Sequence, residues 1–340
     1  MSEAIDINVA ARKLAKVDNV LILCHKNPDG DTLGSAGALY WALHSLGKKA
    51  AVFCSDPIHE RYQYMELEQF YDQFEPQYVV AVDIAGTQLF GERSAKWADK
   101  VDMCIDHHGS NTGFADQMLL DATAAATCEI MYTLIVTMGV EVTGRMADCL
   151  YTGVSTDTGC FKFANTTAST HRVAARLIDL GANLQMLNEL LFENKSKERI
   201  AVEQLALSTL EYHFEGCCAL ICLTRDQIAK IGADEADLEG ITSLPRSIDG
   251  VLVGITMRQQ PGGSYKISVR TKVGLNATEI VRGLGGGGHA QAAGCEIFGG
   301  LDYAKAAILA EAGKALEGRI PPRQPEKQPA GERQDHAPEG

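Results

Sequence analysis

Short, almost wholly apolar runs alternate with helix-like segments through the first half of the chain, and this alternation restricts the fold more than any other feature. The helix-like patterns cover residues 31–46, 122–138, 145–154 and 169–180, and the apolar runs cover residues 20–24, 50–54, 78–84 and 101–105. A strand that is apolar at every position is buried on both faces, as in a parallel sheet covered by helices. The sequence therefore predicts an α/β domain whose parallel sheet carries helices on both faces.

The length of 340 residues and a change of pattern beyond residue 213 indicate a second domain. Strand-like runs and turns follow there: CCALICL, then VLVGITMRQ and YKISVRT joined by Pro261-Gly262-Gly263, and finally AQAAGCEIF. We expect a parallel-sheet domain over residues 1–185, a helical linker over 186–213 and a smaller α/β domain over 214–318. A polar, proline-rich segment over 319–340 is expected to be a disordered tail.

The charge balance argues against one class of protein. A net charge of -13 does not suit a protein that coats long nucleic acids through a basic surface. No apolar run approaches the roughly 18 residues of a membrane span, and the first residues lack an apolar signal segment. The ten cysteines lie scattered, mostly in apolar runs, without a C-x-x-C pair, which favours reduced thiols. We expect a cytoplasmic protein that does not bind a membrane.

Acidic and imidazole side chains stand at or just after the ends of four predicted elements. By element they are His25, Asp29 and Asp31; Asp83; Asp106, His107 and His108; and Asp157, in a predicted loop after residue 154. The carboxyl ends of parallel strands meet at one edge of a sheet, so we expect these segments to converge. Clustered carboxylates need compensating cations, and a mixed imidazole and carboxylate set suits Mn²⁺ or a similar ion. Two such ions about 3.5 to 4 Å apart serve phosphate-ester hydrolysis.

Each of these motifs alone has an ordinary structural explanation. Asp29 before a glycine suits a turn, Asp83 suits a strand-end cap, and adjacent histidines are commonly exposed. Four such motifs occur in the chain, and each follows a predicted strand or helix. Coincidence is a poor explanation for that arrangement. We therefore predict one metal site built from all of them, with a shared aspartate as the natural bridge between two ions.

Five segments carry a resemblance to a known family: HKNPDGDTLGSA, AVDIAG, CIDHHGSN, GVSTDTGCF and GLGGGGHAQAAGC. Through them, the chain from about residue 19 to 298 resembles the DHH phosphoesterase superfamily. Within it, the chain resembles the nano-RNases, bifunctional oligoribonucleases and pAp phosphatases that carry a DHHA1 domain. The resemblance implies two bound Mn²⁺ ions, with Mg²⁺ or Co²⁺ as alternatives.

The resemblance also implies a role for each candidate site residue of the first domain. One ion would be held by His25, Asp29 and Asp83, and the other by Asp31, Asp83, His107 and Asp157. Asp106 would orient the ring of His107, although a packing or capping role explains Asp106 nearly as well on sequence alone. His108 would face the substrate phosphate or the leaving oxygen.

The second domain combines a glycine run with a local excess of positive charge. Between Pro245 and His289 the acidic residues are Asp249 and Glu279, and the basic residues are Arg246, Arg258, Lys266, Arg270, Lys272 and Arg282. The resemblance implies substrate contacts from Arg270, Asn276, Gly286, Gly287, Gly288 and His289. A solvated hairpin face and a flexible glycine linker are the structural alternatives. Cys160 departs from the Arg or Ser that nano-RNases often have after Asp-Thr-Gly, which puts fine substrate preference in doubt.

The expected function, implied by the resemblance, is Mn-dependent hydrolysis of short single-stranded RNA or DNA. The substrates would be di- to pentanucleotides, 3′-phosphoadenosine 5′-phosphate (pAp), or both, cleaved to mononucleotides by a phosphodiesterase with exoribonuclease activity. The alternatives are a cyclic or linear dinucleotide phosphodiesterase, a processive exonuclease, an inorganic pyrophosphatase and a catalytically silent nucleotide-binding regulator. The sequence leaves cleavage polarity open, as well as the choice between a monomer and a homodimer.

Overall fold

The protein is described here by a computed structural model, which covers residues 2–235, 237–238 and 240–320. The chain divides into two compact units, Met1–Asn194 and Lys195–Gly340. Residues 186–213, predicted as a helical linker, are divided between these units. Residues 321–340, which make up nearly all of the predicted tail, lie outside the described residues.

The first unit contains a six-stranded sheet in which every neighbouring pair of strands is parallel. Its strands are β1 (Glu3–Ala4), β2 (Val20–Leu23), β3 (Ala50–Phe53), β4 (Tyr78–Val82), β5 (Met103–Asp106) and β6 (Gln117–Leu120). Their order across the sheet is β1-β6-β5-β4-β2-β3. The predicted fold class is confirmed, although the short strands β1 and β6 were not predicted.

Both faces of this sheet are buried because strand side chains alternate between them. In β2, Ile22 joins the core that the α-helices cover, whereas Leu21 joins a core on the opposite face. The opposite face is covered by shorter segments, including 3-10 helices at Thr87–Leu89 and Ala95–Lys100. The α-helices are α1 (Ile7–Leu14), α2 (Gly30–Ser45), α3 (Thr127–Thr137), α4 (Gly144–Asp157), α5 (Ala168–Asp179) and α6 (Leu184–Asn188).

Helices α2 and α4 lie in close contact because glycines stand where they meet. A Cβ atom on Gly34 would lie 2.3 Å from the carbonyl oxygen of Cys149. A Cβ atom on Gly153 would lie 2.5 Å from Oδ1 of Asp31. Any larger residue at Gly153 would therefore push α4 away from the N-terminal end of α2, where Asp31 lies.

The second unit contains a mixed six-stranded sheet in the order β11-β12-β10-β9-β8-β7. Its strands are β7 (Glu211–His213), β8 (Cys218–Leu223), β9 (Val253–Gln259), β10 (Tyr265–Thr271), β11 (Gly287–His289) and β12 (Ala292–Ile297). Strands β8 and β9 are parallel, and the other neighbouring strands are antiparallel. The predicted hairpin is present as β9 and β10. The glycine run, by contrast, contributes a strand, β11, that was not predicted.

The described part of the second unit also contains four α-helices: α7 (Lys197–Ser208), α8 (Arg225–Ile231), α9 (Ala277–Arg282) and α10 (Leu301–Leu316). Helices α9 and α10 pack on one face of the sheet through Ile280 and Ile308, and α7 packs on the other through Val202. The ten cysteines are free thiols, and all except Cys160 are buried. Among the described residues, no helix is both long and apolar enough to cross a bilayer.

Candidate metal centre

Three neighbouring strands of the first sheet bring candidate ligands to one edge. His25 comes two residues after β2 and Asp83 directly after β4, while Asp106 is the last residue of β5, followed by His107 and His108. Strands β5, β4 and β2 are adjacent in the sheet. Because all three run in the same direction, their carboxyl ends lie together, as the sequence predicted.

The N-terminus of α2 supplies two more carboxylates in different environments. Asp29 is the N-cap, and its Oδ1 accepts hydrogen bonds from the backbone N–H groups of Asp31, at 3.0 Å, and Thr32, at 3.2 Å. Asp31 lies in the first helical turn and is only 1% exposed. Capping by Asp29 therefore fixes the turn that directs Asp31 into the interior.

Asp157 does not lie in a loop, and that prediction was wrong. It is the last residue of α4, which runs three residues beyond the predicted end. The side-chain hydroxyls of Thr156 and Thr158 donate to the carbonyl oxygens of Thr152 and Val154 in the same helix, so they do not compete for its backbone N–H groups. The rigid helix, rather than a loop, positions the Asp157 carboxylate.

These residues form three overlapping groups, each with ligand atoms close enough together to hold an ion. The groups are His25, Asp29 and Asp83; Asp31, His107 and Asp157; and Asp83, His107 and His108. In the first, His25 Nε2 lies 3.4 Å from Asp29 Oδ1 and 3.7 Å from Asp83 Oδ2. In the second, His107 Nε2 lies 4.0 Å from Asp31 Oδ2 and 3.6 Å from Asp157 Oδ2. Atoms that share an ion at about 2.1 Å lie about 3 to 3.5 Å apart, so modest contraction would bring these into coordination.

Asp83 connects the groups because its two oxygens face different histidines. Oδ2 faces His25, whereas Oδ1 lies 3.7 Å from His107 Nε2 and 3.6 Å from His108 Nδ1. Its backbone has φ of 59°, in the left-handed region that aspartate tolerates better than most residues. A carboxylate held in this way is placed to bridge two ions.

His25 and His107 are each oriented by a backbone carbonyl so that Nε2 faces the carboxylates. Nδ1 of His107 lies 3.2 Å from the carbonyl oxygen of Ala124, and Nδ1 of His25 lies 2.8 Å from that of Lys26. A carbonyl only accepts, so in each ring Nδ1 donates, and Nε2 is the nitrogen that offers a lone pair to a metal when the ring is neutral. In the described part of the chain, His107 Nε2 is buried without a hydrogen-bond partner. A divalent cation fits this unsatisfied nitrogen and the carboxylates around it.

Burial and the excess negative charge of the cluster shift several pKa values. Burial, followed by the charges of Asp83 and Asp157, raises the pKa of Asp31 well above its ordinary value. Burial also raises the pKa of Asp157 to about 6, opposed by His107 and assisted by Asp83. Burial lowers the pKa of His25, but hydrogen bonding to Asp29 and Asp83 outweighs it and raises the value to about 11. The cluster attracts positive charge, which bound cations would supply.

Asp106 contacts a different ring from the one expected. Its Oδ1 accepts from Nδ1 of His108 at 2.8 Å, whereas its contact with His107 is to the backbone N–H. The expectation that Asp106 orients the His107 ring is therefore corrected, since the Ala124 carbonyl occupies Nδ1 of that ring. Asp106 orients His108, whose side chain is 41% exposed. With Nδ1 held, Nε2 of His108 is the nitrogen left to meet a substrate.

Thr127 and Asn111 were missed by the sequence reasoning. Thr127 Oγ1 donates to Asp83 Oδ1 at 2.9 Å, and its backbone N–H donates to Asp31 Oδ2 at 2.6 Å. Asn111 Nδ2 donates to Asp106 Oδ2 at 2.6 Å. The helix predicted from residue 122 begins at Thr127, which directs its N-terminus at Asp31. Asn111 stood in the CIDHHGSN motif, which was the one available signal.

The predicted substrate residues all lie in the second unit. Arg270 is on β10, and Gly287, Gly288 and His289 form β11, with Gly286 just before it. A Cβ atom on Gly288 would lie 2.5 Å from the carbonyl oxygen of Ala292, so this glycine is required by strand pairing alone. Asn276 is the N-cap of α9, and its Oδ1 accepts from the Thr278 N–H at 3.0 Å. A structural role therefore accounts for Asn276 and Gly288 without a substrate.

Comparisons with known proteins agree with this architecture. Residues 19–154 match the DHH family, N-terminal domain, and residues 219–317 match the DHHA1 domain. A bifunctional oligoribonuclease and PAP phosphatase, NrnA, from Thermus thermophilus is 35% identical over 85% of this chain and 88% of its own length. Its namesake from Bacillus subtilis is 23% identical over 84% of this chain and 92% of its own length. An exopolyphosphatase-related protein from Bacteroides fragilis has a similar fold, with a TM-score of 0.82 and 23% identity over 92% of this chain and 97% of that one.

Proposed function

The chain belongs to the DHH phosphoesterase family, with a DHHA1 domain after the DHH domain, and from this premise we propose that it hydrolyses very short oligonucleotides and pAp to mononucleotides. The observation that carries the chemistry is the buried, unpartnered His107 Nε2 among carboxylates. The substrate class rests on the relatives named as bifunctional oligoribonuclease and PAP phosphatase.

The first unit is proposed to hold two Mn²⁺ ions. We assign His25, Asp29 and Asp83 to one ion, and we assign Asp31, Asp83, His107 and Asp157 to the other. The support is the grouping of these atoms and the position of the Asp83 oxygens between His25 and His107. When bound, the ions would supply Lewis-acid activation of water and neutralise charge on the phosphoryl oxygens. The mixed nitrogen and oxygen ligands favour Mn²⁺ over Ca²⁺, which prefers oxygen ligands throughout.

His108 is proposed to act on the leaving oxygen. Its Nδ1 is held by Asp106, and Asp106 is in turn held by Asn111. This chain of hydrogen bonds orients the ring and leaves Nε2 free on a side chain that is 41% exposed. An Nε2–H group in this position can donate to the oxygen that departs from phosphorus.

The second unit is proposed to bind the remainder of the nucleotide through Arg270, His289 and the backbone near Gly287, since the N–H group of Gly286 already donates to the carbonyl oxygen of Val281 at 2.9 Å. Arg270 and His289 lie on the same sheet face, because both pair in register with Ala292. Asn276 is left out of this set because its side-chain oxygen caps α9.

The other candidate functions have less support. A catalytically silent regulator would be expected to have lost a ligand, yet the cluster contains every predicted metal ligand. An inorganic pyrophosphatase of the related family would have a different second domain, whereas residues 219–317 match the DHHA1 domain. Cyclic dinucleotides remain a substrate to be tested beside the linear ones.

A substrate panel tests the proposal. Purified protein with Mn²⁺ would be incubated with di- to pentanucleotides, a long single strand, pAp, cyclic dinucleotides and pyrophosphate. We expect rapid conversion of the shortest oligonucleotides and of pAp, and little turnover of the others. Protein carrying Asp83→Asn, purified in parallel, would identify any contaminating nuclease. Faster turnover of pyrophosphate or of a cyclic dinucleotide than of every linear substrate would refute the proposal.

The roles of the two units can be separated with Arg270→Ala. We expect unchanged metal content, a large loss with dinucleotides, and a much smaller loss with bis-p-nitrophenyl phosphate, which offers the second unit little to bind. Lys266→Ala is the matched control, because Lys266 lies on the same strand and face. Equal losses on both substrates would indicate misfolding or a direct catalytic role, and no loss on either would exclude Arg270 from the site.

A further inference from the structure

Arg246 lies directly over the second sheet although it belongs to none of its strands. It occupies a 3-10 helix, Pro245–Ser247, that precedes β9. A Cβ atom on Gly254 of β9 would lie 2.6 Å from the backbone nitrogen of Arg246 and 3.1 Å from its Cβ. The absence of a side chain at Gly254 therefore allows the backbone of Arg246 to rest on this face of the sheet.

This position brings Arg246 close to Arg270. Gly254 and Arg270 pair in register across β9 and β10, and residues directly opposite in an antiparallel pair share a face. Burial, followed by the charge of Arg246, lowers the pKa of Arg270 from its ordinary value. The two guanidinium groups, 24 positions apart in the chain, thus act on each other electrostatically.

Neither arginine has an acidic partner within the described residues. Other cations of this unit do: Arg258 Nη1 lies 2.8 Å from Glu235 Oε2, and Lys305 Nζ lies 2.6 Å from Glu211 Oε1. Arg270 instead donates from Nη1 to the carbonyl oxygen of Val269 at 3.2 Å. Two half-buried like charges without a counter-ion repel each other, and a bound anion would remove that repulsion.

The surface beside the pair has room for a ligand. Across β10, β12 and β11, Arg270 is followed in one row by Ala292 and His289, and Ser268 is followed by Gly294 and Gly287. The centre of this face is shallow because its residues are alanine and glycine. Arg270 and His289 lie on either side of it. Among the described residues of this unit, no cation that forms an ion pair belongs to these rows.

We infer that Arg246 and Arg270 together bind a phosphate group of the nucleotide other than the one that is hydrolysed. This inference rests on the proposed function and adds to it a selectivity among substrates according to their number of phosphate groups. Substrates with a second phosphate, such as pAp or a 5′-phosphorylated dinucleotide, are preferred over those that lack it. Paired guanidinium groups suit a phosphate because each presents planar donors that match its oxygens.

Binding of pAp and of adenosine tests the pair, since adenosine carries no phosphate, whereas adenosine 5′-monophosphate would keep one that the pair could hold. Titration calorimetry on the full-length protein, kept metal-free by chelator so that nothing is hydrolysed, gives both dissociation constants. We expect wild-type protein to bind pAp more tightly by about 10- to 100-fold, the usual effect of one charge-assisted contact. Arg246→Gln, which keeps most of the side-chain stem, should remove most of that preference, and Arg246→Lys should retain part of it.

Arg258→Ala is the matched control, because it removes the same charge from the same unit at a residue that pairs with Glu235. It should leave the preference for pAp intact, and thermal melting would verify that each variant is folded. An unchanged preference in Arg246→Gln, or equal losses in Arg246→Gln and Arg258→Ala, would overturn the inference. A wild-type protein that prefers pAp yet hydrolyses no nucleotide with Mn²⁺ would instead contradict the proposed function and leave the phosphate site standing.

Discussion

Replacing Thr127 by valine removes one hydrogen bond from the centre of the candidate metal site with almost no change in side-chain shape. Thr127 is fully buried, and its hydroxyl donates to Asp83 Oδ1 at 2.9 Å. Valine keeps the β-branch, and the backbone N–H that donates to Asp31 Oδ2 is untouched. The substitution thus acts on the orientation and solvation of the proposed bridging carboxylate alone.

The expected magnitude follows from the kind of bond that is lost. A hydrogen bond to a charged group contributes about 1.5 to 3 kcal/mol, and removing an outer partner of a metal ligand weakens metal binding by about 10- to 100-fold. The two ranges agree, because 1.4 kcal/mol corresponds to about tenfold. Asp83 Oδ2 still faces His25, so we expect weakened binding rather than its abolition.

Titration of chelator-treated protein with Mn²⁺, monitored by calorimetry, measures the effect. Thr133→Val is the matched control, because Thr133 lies on the same helix and its hydroxyl donates to the carbonyl oxygen of Glu129 instead. Thr127→Ser should bind nearly as well as wild type since it keeps the hydroxyl. Wild-type Mn²⁺ affinity in Thr127→Val, with both controls intact, would refute the assignment of Asp83 as a ligand that Thr127 positions.

Three further outcomes are expected. Chelation should abolish phosphodiester hydrolysis, and Mn²⁺ should restore it better than Ca²⁺; activity in metal-stripped protein would contradict a metal-dependent mechanism. Metal analysis of dialysed protein should find both ions lost in Asp83→Asn but only one in Asp157→Asn, since Asp157 belongs to one group; equal losses would argue against the bridge. Asp106→Asn should lower kcat by about 100-fold or more with little change in metal content, because it releases the His108 ring. A comparable loss of metal would return Asp106 to the role of holding His107.

The pattern of apolar residues was sufficient to predict a strand wherever that strand is buried on both faces. Strands β2 to β5 are runs of apolar residues, so their positions could be predicted to within about two residues. Strands β1 and β6 could not, because both begin with a polar residue and β1 is only 2 residues long. In the second unit, the many alanines of α10 weaken its amphipathic pattern. Two of the three residues of β11 are glycines, which have little strand propensity.

The identity of the candidate ligands and their arrival at one sheet edge were determined by the sequence alone. His25, Asp83 and His107 each follow a strand whose direction is set by the parallel sheet, so their convergence is a local consequence of topology. What only the tertiary structure decided is which atom meets which. Thr127 donates to Asp83, 44 positions away in the chain, and Asp106 accepts a hydrogen bond from the ring of His108. The absence of a side chain at Gly254 allows Arg246 to lie beside Arg270. Such contacts depend on where a helix begins, on the space that a glycine leaves and on how a ring is oriented. Packing determines all three, so they cannot be predicted from the periodic pattern of the sequence.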